Sequence, residues 1–130
     1  MVSTVVWLIR NLCQGNPGPD IRLVSQAIQP TVALLQRKNE LSEDVLVDAA
    51  WAMAFLSNGE NSRIGAVMAN GSTRVLVSLL DESPSTRLLK PVLRCLCNFV
   101  TATDEQTQEV IDAGILKHVS GLLLNKEVWL

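Results

Sequence analysis

The sequence predicts an all-α solenoid, a stack of helical repeats, and two observations support this prediction. First, Gly71 and Gly114 recur at an interval of 43 residues, as do the leucine pairs at 79–80 and 122–123. Second, every segment between the breakers has helical periodicity, which leaves no room for strands. With 48% hydrophobic and 18% charged residues, the chain is apolar enough to fold.

A period in the low forties, built from helices, is typical of the armadillo and HEAT repeat classes. We therefore predict an armadillo-repeat domain over residues 1–130, an α-α solenoid with a right-handed superhelical path. The predicted units are the third helix of a partial repeat at 1–15, repeats at 16–59 and 60–103, and the start of a further repeat at 104–130.

Each unit is predicted to contain a short helix, a second helix and a longer third helix. In the first complete unit Asp20 caps the short helix, Pro30 begins the second, and Ser42 caps the third, which ends before Gly59. The predicted helices are 1–14, 20–28, 31–37, 42–58, 60–69, 72–81, 85–102, 104–113 and 115–124.

Charge and composition exclude several functions. A net charge of −2 and a pI near 5.3 provide no basic surface for nucleic acid or an anionic membrane. No apolar run approaches the roughly 18 residues of a membrane span, and the first residues lack the basic region of a signal peptide. We expect a cytoplasmic and nuclear protein.

The cysteines and the single histidine do not form a recognisable site. Cys95 and Cys97 are two residues apart on a helix and point to different faces, so together with Cys13 they are predicted to be buried free thiols and not metal ligands. His118 has no phosphate loop, carboxylate pair or metal spacing near it. We therefore expect no enzyme, no metal and no cofactor.

A recurring pattern marks one face of the third helices. One position is Trp or Arg and the position four residues later is Asn or Phe, so each pair lies on one helical face. The pairs are Trp7/Asn11, Trp51/Phe55 and Arg94/Asn98. On the helix of residues 42–58 this face also includes Asp44 and Asp48, whereas Leu46, Ala50 and Met53 form a separate apolar stripe.

Such a face has the chemistry of a peptide groove. Parallel Trp rings hold the aliphatic stems of Lys or Arg and attract their cationic heads, and Asn amides bond to an extended peptide backbone. A lone Trp on a helix is more often part of the core, but recurrence in phase with Asn favours a shared ridge.

Three stretches of the chain resemble importin α, the adaptor that recognises nuclear localisation signals. They are residues 7–19, 48–59 and 94–114, and with the helices between them the resemblance covers nearly the whole chain. It implies the central armadillo repeats, where the peptide ridge passes from a major site to a minor site. It further implies Lys/Arg-rich cargo peptides as ligands, and importin β and an export receptor as other partners whose binding regions are absent from this chain.

The resemblance also implies roles for individual residues. Trp7 and Asn11 would close the major site beside Trp51, helped by Asp48 and Phe55. Arg94 would line the span between the sites. The start of the minor site would comprise Asn98, Val100, Thr101, Asp104 and Thr107.

Several positions depart from the family pattern. Arg10 replaces a small residue beside the ridge, and Thr4 replaces an Asn. Phe55 lacks the hydroxyl of the usual Tyr, residues 72–73 are Ser-Thr where apolar residues are expected, and Trp129 is out of phase with the ridge. Each of the first four is expected to weaken binding of a basic peptide, and Arg10 most.

Two alternatives stay open. Besides a peptide adaptor, the chain could be an armadillo scaffold of the β-catenin kind, or a truncated adaptor relative that has lost cargo binding. An acidic groove favours basic cargo and a basic groove favours acidic partners. Asp44, Asp48, Asp104 and Glu105 against Arg10 and Arg94 favour an acidic groove without deciding between the two. The incomplete outer units also indicate a fragment or truncated form, or shielding of apolar ends by self-association.

Overall fold

The computed structural model describes residues 1–125, and this part of the chain contains helices and no strand. The all-α prediction is therefore confirmed. The helices are α1 (Val2–Cys13), α2 (Ile21–Val24), α3 (Ile28–Gln36), α4 (Glu43–Leu56), α5 (Asn61–Met68), α6 (Ser72–Ser78), α7 (Thr86–Val100), α8 (Asp104–Asp112) and α9 (Leu116–Leu124), with a 3-10 turn (Ser25–Ala27) between α2 and α3.

Side-chain caps and glycines define the helix ends. Asp20 caps α2 as predicted, since its Oδ1 accepts the backbone N–H of Arg22 at 2.9 Å. Thr103 forms a full capping box with Gln106 at the start of α8. Gly71, the residue before α6, has a φ of +72°, which favours a residue without a Cβ.

Two predicted helix starts differ from the structure. Ser42 occupies the N-cap position of α4, but its side chain forms no capping hydrogen bond; Glu43 and Asp44 instead place negative charge in the first turn, where the helix dipole favours it. α3 begins at Ile28 and not at Pro30. Pro30 lies in the first turn, where a backbone N–H has no partner within the helix, so the proline does not interrupt it.

The third helices form the centre of the molecule. α4 packs between α1 and α7 and also rests on α3. Its predicted apolar stripe of Leu46, Ala50 and Met53 is buried. Truncation of a side chain as buried as Met53 removes about 2–5 kcal/mol from the free energy of unfolding, so the position of α4 is firmly set.

Arg63 on α5 holds the loop between α1 and α2 against the end of α4. Its guanidinium donates from Nε to the carbonyl of Leu56 at 2.7 Å and from Nη1 to the carbonyl of Pro19 at 2.5 Å. A Cβ on Gly59 would lie 2.8 Å from the Arg63 Cδ, so the close passage of this side chain requires glycine there. Arg63 thus joins the loop to the ends of α4 and α5.

The two outermost described helices expose apolar side chains. On α1 these are Val2, Val5, Trp7, Leu8 and Leu12, and on α9 they are Leu116, Val119, Leu123 and Leu124. Within residues 1–125 no helix is long and apolar enough to cross a membrane.

The three cysteines are free, but they are not equivalent. Cys13 and Cys95 are buried, whereas Cys97 is exposed, so the prediction of a buried thiol was wrong for Cys97. Cys97 follows Cys95 by two helical positions and so points to a different face of α7. Burial raises the pKa of the Cys95 thiol to about 12 and also raises the pKa of Cys13.

Candidate peptide-binding groove

The predicted ridge lies on α1, α4 and α7, and Trp51 is at its centre. The Trp51 ring is half-buried and stacks on Phe55, with ring centroids 5.7 Å apart and planes inclined by 26°. Since Phe55 follows Trp51 by one helical turn, the pair forms a continuous aromatic surface along α4. A cleft opens on each side of this surface.

The first cleft lies between α4 and α7. We call it the Asn98 cleft; it has a volume of about 250 Å³ and is lined by Trp51, Ala54, Phe55, Asn58, Arg94 and Asn98. Four residues predicted from sequence to contact a ligand, namely Trp51, Phe55, Arg94 and Asn98, therefore converge on one concave surface.

Asn98 connects the two helices that form this cleft. Its Nδ2 donates to the carbonyl of Ala54 and to the hydroxyl of Ser57, each at 3.1 Å. Ser57 is fully buried, donates to the same Ala54 carbonyl at 3.1 Å and lies 3.4 Å from the Cys95 sulfur. Because both amide hydrogens of Asn98 point to α4, only its Oδ1 is available to a peptide, as an acceptor.

The second cleft lies on the opposite side of Trp51, among α1, α4 and α7. We call it the Arg10 cleft; it has a volume of about 350 Å³ and is lined by Arg10, Val47, Trp51, Thr86, Arg87 and Lys90. The guanidinium carbon of Arg10 lies 5.7 Å from the centre of the Trp51 ring, and Arg10 Nη1 lies 2.5 Å from Asp48 Oδ1. A cation on an aromatic face with a carboxylate beside it is the arrangement expected of a bound basic side chain.

Two of the acidic residues of α4 pair with arginines of neighbouring helices, and the third accepts a hydrogen bond from a serine hydroxyl. Asp44 Oδ1 lies 2.9 Å from Arg87 Nη2, Asp48 binds Arg10, and Glu43 accepts a hydrogen bond from Ser85. At this end of the ridge the charges of Asp44 and Asp48 are therefore balanced by arginines of the same chain, which reduces the acidic character expected from sequence. Asp104 is exposed at the start of α8 and remains the acidic contribution at the other end, whereas Glu105 lines a separate cleft with Arg74 of α6.

Trp7 and Asn11 lie apart from both clefts. The Trp7 side chain is 59% exposed, and Asn11 Nδ2 donates to the Trp7 carbonyl at 2.8 Å within the same helix. Trp7 is thus the most accessible aromatic surface of the predicted ridge, and Arg10 follows it by one helical turn.

The remaining predicted site residues gather where α7 passes into α8. Val100 is exposed, the Thr101 hydroxyl donates to the Asn98 carbonyl at 2.7 Å, and the Thr107 hydroxyl donates to the Val100 carbonyl at 3.1 Å. Asp104 is exposed as the first residue of α8. These contacts place this group next to Asn98, at the end of the ridge.

Other polar residues singled out in the sequence serve the fold. Ser72 donates to the Val67 carbonyl at 2.8 Å and Thr73 donates to Glu109 Oε1 at 3.3 Å, so both hydroxyls are satisfied where the family has apolar residues. His118 Nε2 lies 3.0 Å from Asp81 Oδ1. No group of three metal-ligating side chains occurs within residues 1–125, and Trp129 lies outside these residues.

Sequence reasoning missed three residues of this surface, namely Ser57, Arg87 and Lys90. Asp44 and Arg87 are 43 residues apart, which is the repeat interval, and opposite charges at that spacing predict an ion pair between neighbouring third helices. That signal was in the sequence. Ser57 gave no comparable signal, because its role depends on the local end of α4.

Comparison with known proteins agrees with this architecture. No protein-family model matches the chain. It is similar to importin subunit alpha-1b of Oryza sativa subsp. japonica, with 40% identity over 96% of this chain and 23% of that protein, and to importin subunit alpha-3 of Arabidopsis thaliana, with 37% identity over the same shares. It is also similar to the probable importin subunit alpha-A of Dictyostelium discoideum, with 40% identity over 78% of this chain and 18% of that protein.

Two solved structures with the same fold are designed armadillo repeat proteins. One, in complex with the peptide (KR)4, has a TM-score of 0.85 and 32% identity, covering 98% of this chain and 53% of that one. Another, designed for modular peptide recognition, has a TM-score of 0.84 and 28% identity over the same shares. The armadillo fold and the resemblance to importin α are thus confirmed, and the chain spans less than a quarter of the first two importin subunits.

Proposed function

We propose that this chain is a peptide-binding adaptor module of the importin α type, which takes up an extended Lys/Arg-rich peptide for nuclear import. The peptide lies across α1, α4 and α7. In this proposal the module acts by binding alone, without catalysis, and works in both cytoplasm and nucleus. Importin β and an export receptor would be bound by other parts of such an adaptor.

The observation that supports the proposal most is the convergence of Trp51, Phe55, Arg94 and Asn98 on the Asn98 cleft. A cleft of about 250 Å³ is too small for a drug-sized ligand, whose pockets are typically about 300–1,000 Å³, and suits one side chain at a time. The (KR)4 complex of the designed armadillo relative, in which the same fold holds a basic peptide, adds support.

The chemistry of each contact follows from the side chains available. The aliphatic stem of a Lys or Arg packs on Trp7 or on the Trp51–Phe55 surface, and each exposed cation–π contact contributes about 0.5–1 kcal/mol. Asn98 Oδ1 accepts a peptide N–H, and Asp104 attracts the cationic heads beyond α7. Because these contacts are exposed, the affinity should fall with added salt.

An acidic partner is the second candidate, and the cations of the Arg10 cleft favour it. Within residues 1–125 neither cleft is lined by a carboxylate, but Arg10, Arg87 and Lys90 give this cleft three cations against the single Arg94 of the Asn98 cleft. A chain bound only through this cleft would be a scaffold for acidic segments. The accessible Trp7 and the exposed carboxylates of α8 favour the basic peptide over this alternative.

Titration of a labelled alternating Lys-Arg peptide into the protein, followed by fluorescence anisotropy, tests the proposal. Trp7→Ala should weaken binding about two- to fivefold through the loss of one cation–π contact. Leu12→Ala is the matched control, because Leu12 is on the same helix and equally accessible, at 60% against 59%, but on another face. A Ser-Gly peptide of equal length should not bind. Equal effects of the two substitutions would count against the ridge.

A further inference from the structure

The ridge contains one cation slot that the chain fills by itself. Arg10 lies over the Trp51 ring and beside Asp48, which are the two groups that would receive a peptide Lys or Arg at this point. The Arg10 side chain is only 31% exposed and that of Asp48 only 19%, so the slot is closed to a second cation. A basic peptide side chain placed here would also face the charges of Arg87 and Lys90.

The charges around the Arg10 cleft are unevenly distributed. Its lining contains three cations, whereas the nearby carboxylates of Glu43, Asp44 and Asp48 are outside the lining and already engaged. Arg10 and Arg87 each use one terminal nitrogen for these contacts, and a guanidinium has five N–H donors. Lys90 is exposed and forms no ion pair within residues 1–125. Donors therefore remain for an incoming anion.

We propose that the Arg10 cleft binds an acidic side chain, Asp or Glu, of the same peptide whose basic residues occupy the Asn98 cleft and the Trp7 surface. This inference rests on the proposed function and adds to it a composition rule for the ligand. A carboxylate in the cleft accepts hydrogen bonds from Arg10 and Arg87 and is attracted by Lys90. The preferred ligand is consequently a basic segment with an acidic flank, and an unbroken run of Lys and Arg is a poorer one.

Three labelled peptides with one shared Lys-Arg block test this rule. The block is extended at both ends by Asp-Glu, by Ser-Gly or by Lys-Arg, so that either direction of binding places a flank in the cleft. The wild-type protein should bind the Asp-Glu peptide about two- to fivefold more tightly than the Ser-Gly peptide at low salt. It should bind the Lys-Arg extension no better than Ser-Gly.

Two variants locate the effect. Arg10→Ser, which opens Trp51 and Asp48, should abolish the acidic preference and increase affinity for the Lys-Arg extension. Lys90→Glu changes only an exposed side chain and should reverse the preference without loss of folding, as monitored by circular dichroism. Lys117→Glu on α9 is the control for the change of charge outside the groove; it also removes an exposed ion pair with Asp81, so its folding is checked in the same way, and it should retain the preference.

The outcomes separate this inference from the function on which it rests. The acidic subsite is wrong, and the adaptor function stands, if the Ser-Gly-flanked peptide binds but the Asp-Glu flank does not increase affinity for the wild type. The same conclusion follows if the Asp-Glu flank increases affinity equally in the wild type and in Lys90→Glu. If none of the three peptides binds, both fail.

Discussion

The two clefts beside Trp51 share an aromatic wall but are closed by different forces. On the α7 side, Asn98 and Ser57 form neutral hydrogen bonds that are half or fully buried. On the α1 side, Arg10, Asp48, Arg87 and Asp44 form ion pairs that range from partly to largely exposed. Buried neutral hydrogen bonds therefore hold the first cleft together, whereas ion pairs hold the second.

The two kinds of contact should respond differently to mutation and to a ligand. A buried amide that loses its partners destabilises the protein, because its desolvation is no longer compensated. An exposed ion pair contributes little and is screened by salt, so its members can exchange partners with a ligand. The Asn98 side should therefore govern stability, and the Arg10 side should govern ligand choice.

The largest effect on stability is expected from Asn98→Ala. The substitution removes two hydrogen bonds between α7 and the end of α4, and it should lower the free energy of unfolding by about 1–3 kcal/mol. Urea unfolding followed by circular dichroism measures this change. Asn58→Ala is the control, since Asn58 lines the same cleft but is exposed, and its effect should stay within about 0.5 kcal/mol. Similar losses in both would remove the distinction between the clefts.

A smaller effect is expected from the ion pairs of the Arg10 cleft. A double-mutant cycle on Arg10 and Asp48 should give a coupling of about 0.2–1 kcal/mol that decreases at 1 M salt. The same cycle on Arg87 and Asp44 should give a coupling near zero, because those side chains are 63% and 75% exposed. Equal couplings in the two cycles would mean that Trp51 does not hold Arg10 in place.

The cysteines should differ in chemical reactivity according to their burial, and labelling the exposed one should hardly change stability. A thiol-specific reagent at pH 8 should label Cys97 alone, because Cys95 is buried beside Ser57 and Cys13 is buried at the end of α1. Labelled protein should unfold at the same urea concentration as unlabelled protein. Cys97→Ser should eliminate the rapid reaction; rapid labelling of Cys95 in this variant would show that the Asn98 side opens readily.

The pH dependence of stability provides a further test of the burial of Cys95. Its pKa is raised from 9.0 to about 12 on folding, so above pH 9 the unfolded chain loses this proton and the folded chain retains it. Between pH 9 and 12 the folded state therefore binds more protons than the unfolded state. The free energy of unfolding should fall as the pH rises through this range. Cys95→Ala should flatten this decline in urea unfolding; an unchanged slope would exclude Cys95 as its source.

Sequence periodicity predicted the helices and the ridge because both depend on local spacing. Trp51, Phe55, Arg94 and Asn98, which the i, i+4 pattern and the repeat interval assign to one face, line a single cleft. The pairing of Arg10 with Asp48 was not predicted, since a long side chain reaches across helices at a separation of 38 residues, which is not the repeat interval. The sequence alone therefore did not reveal that Asp48 is already paired within the chain.

The most direct test of the account is to map the peptide on the protein by two-dimensional NMR. The side-chain amide of Asn98 and the indole N–H groups of Trp7 and Trp51 should shift on addition of the Lys-Arg peptide with Asp-Glu flanks, together with backbone amides of α4 and α7. Amides of α5 and α6, which pack away from the ridge, should change little. Shifts confined to α5 and α6, with the Trp7, Trp51 and Asn98 signals unmoved, would contradict the groove assignment.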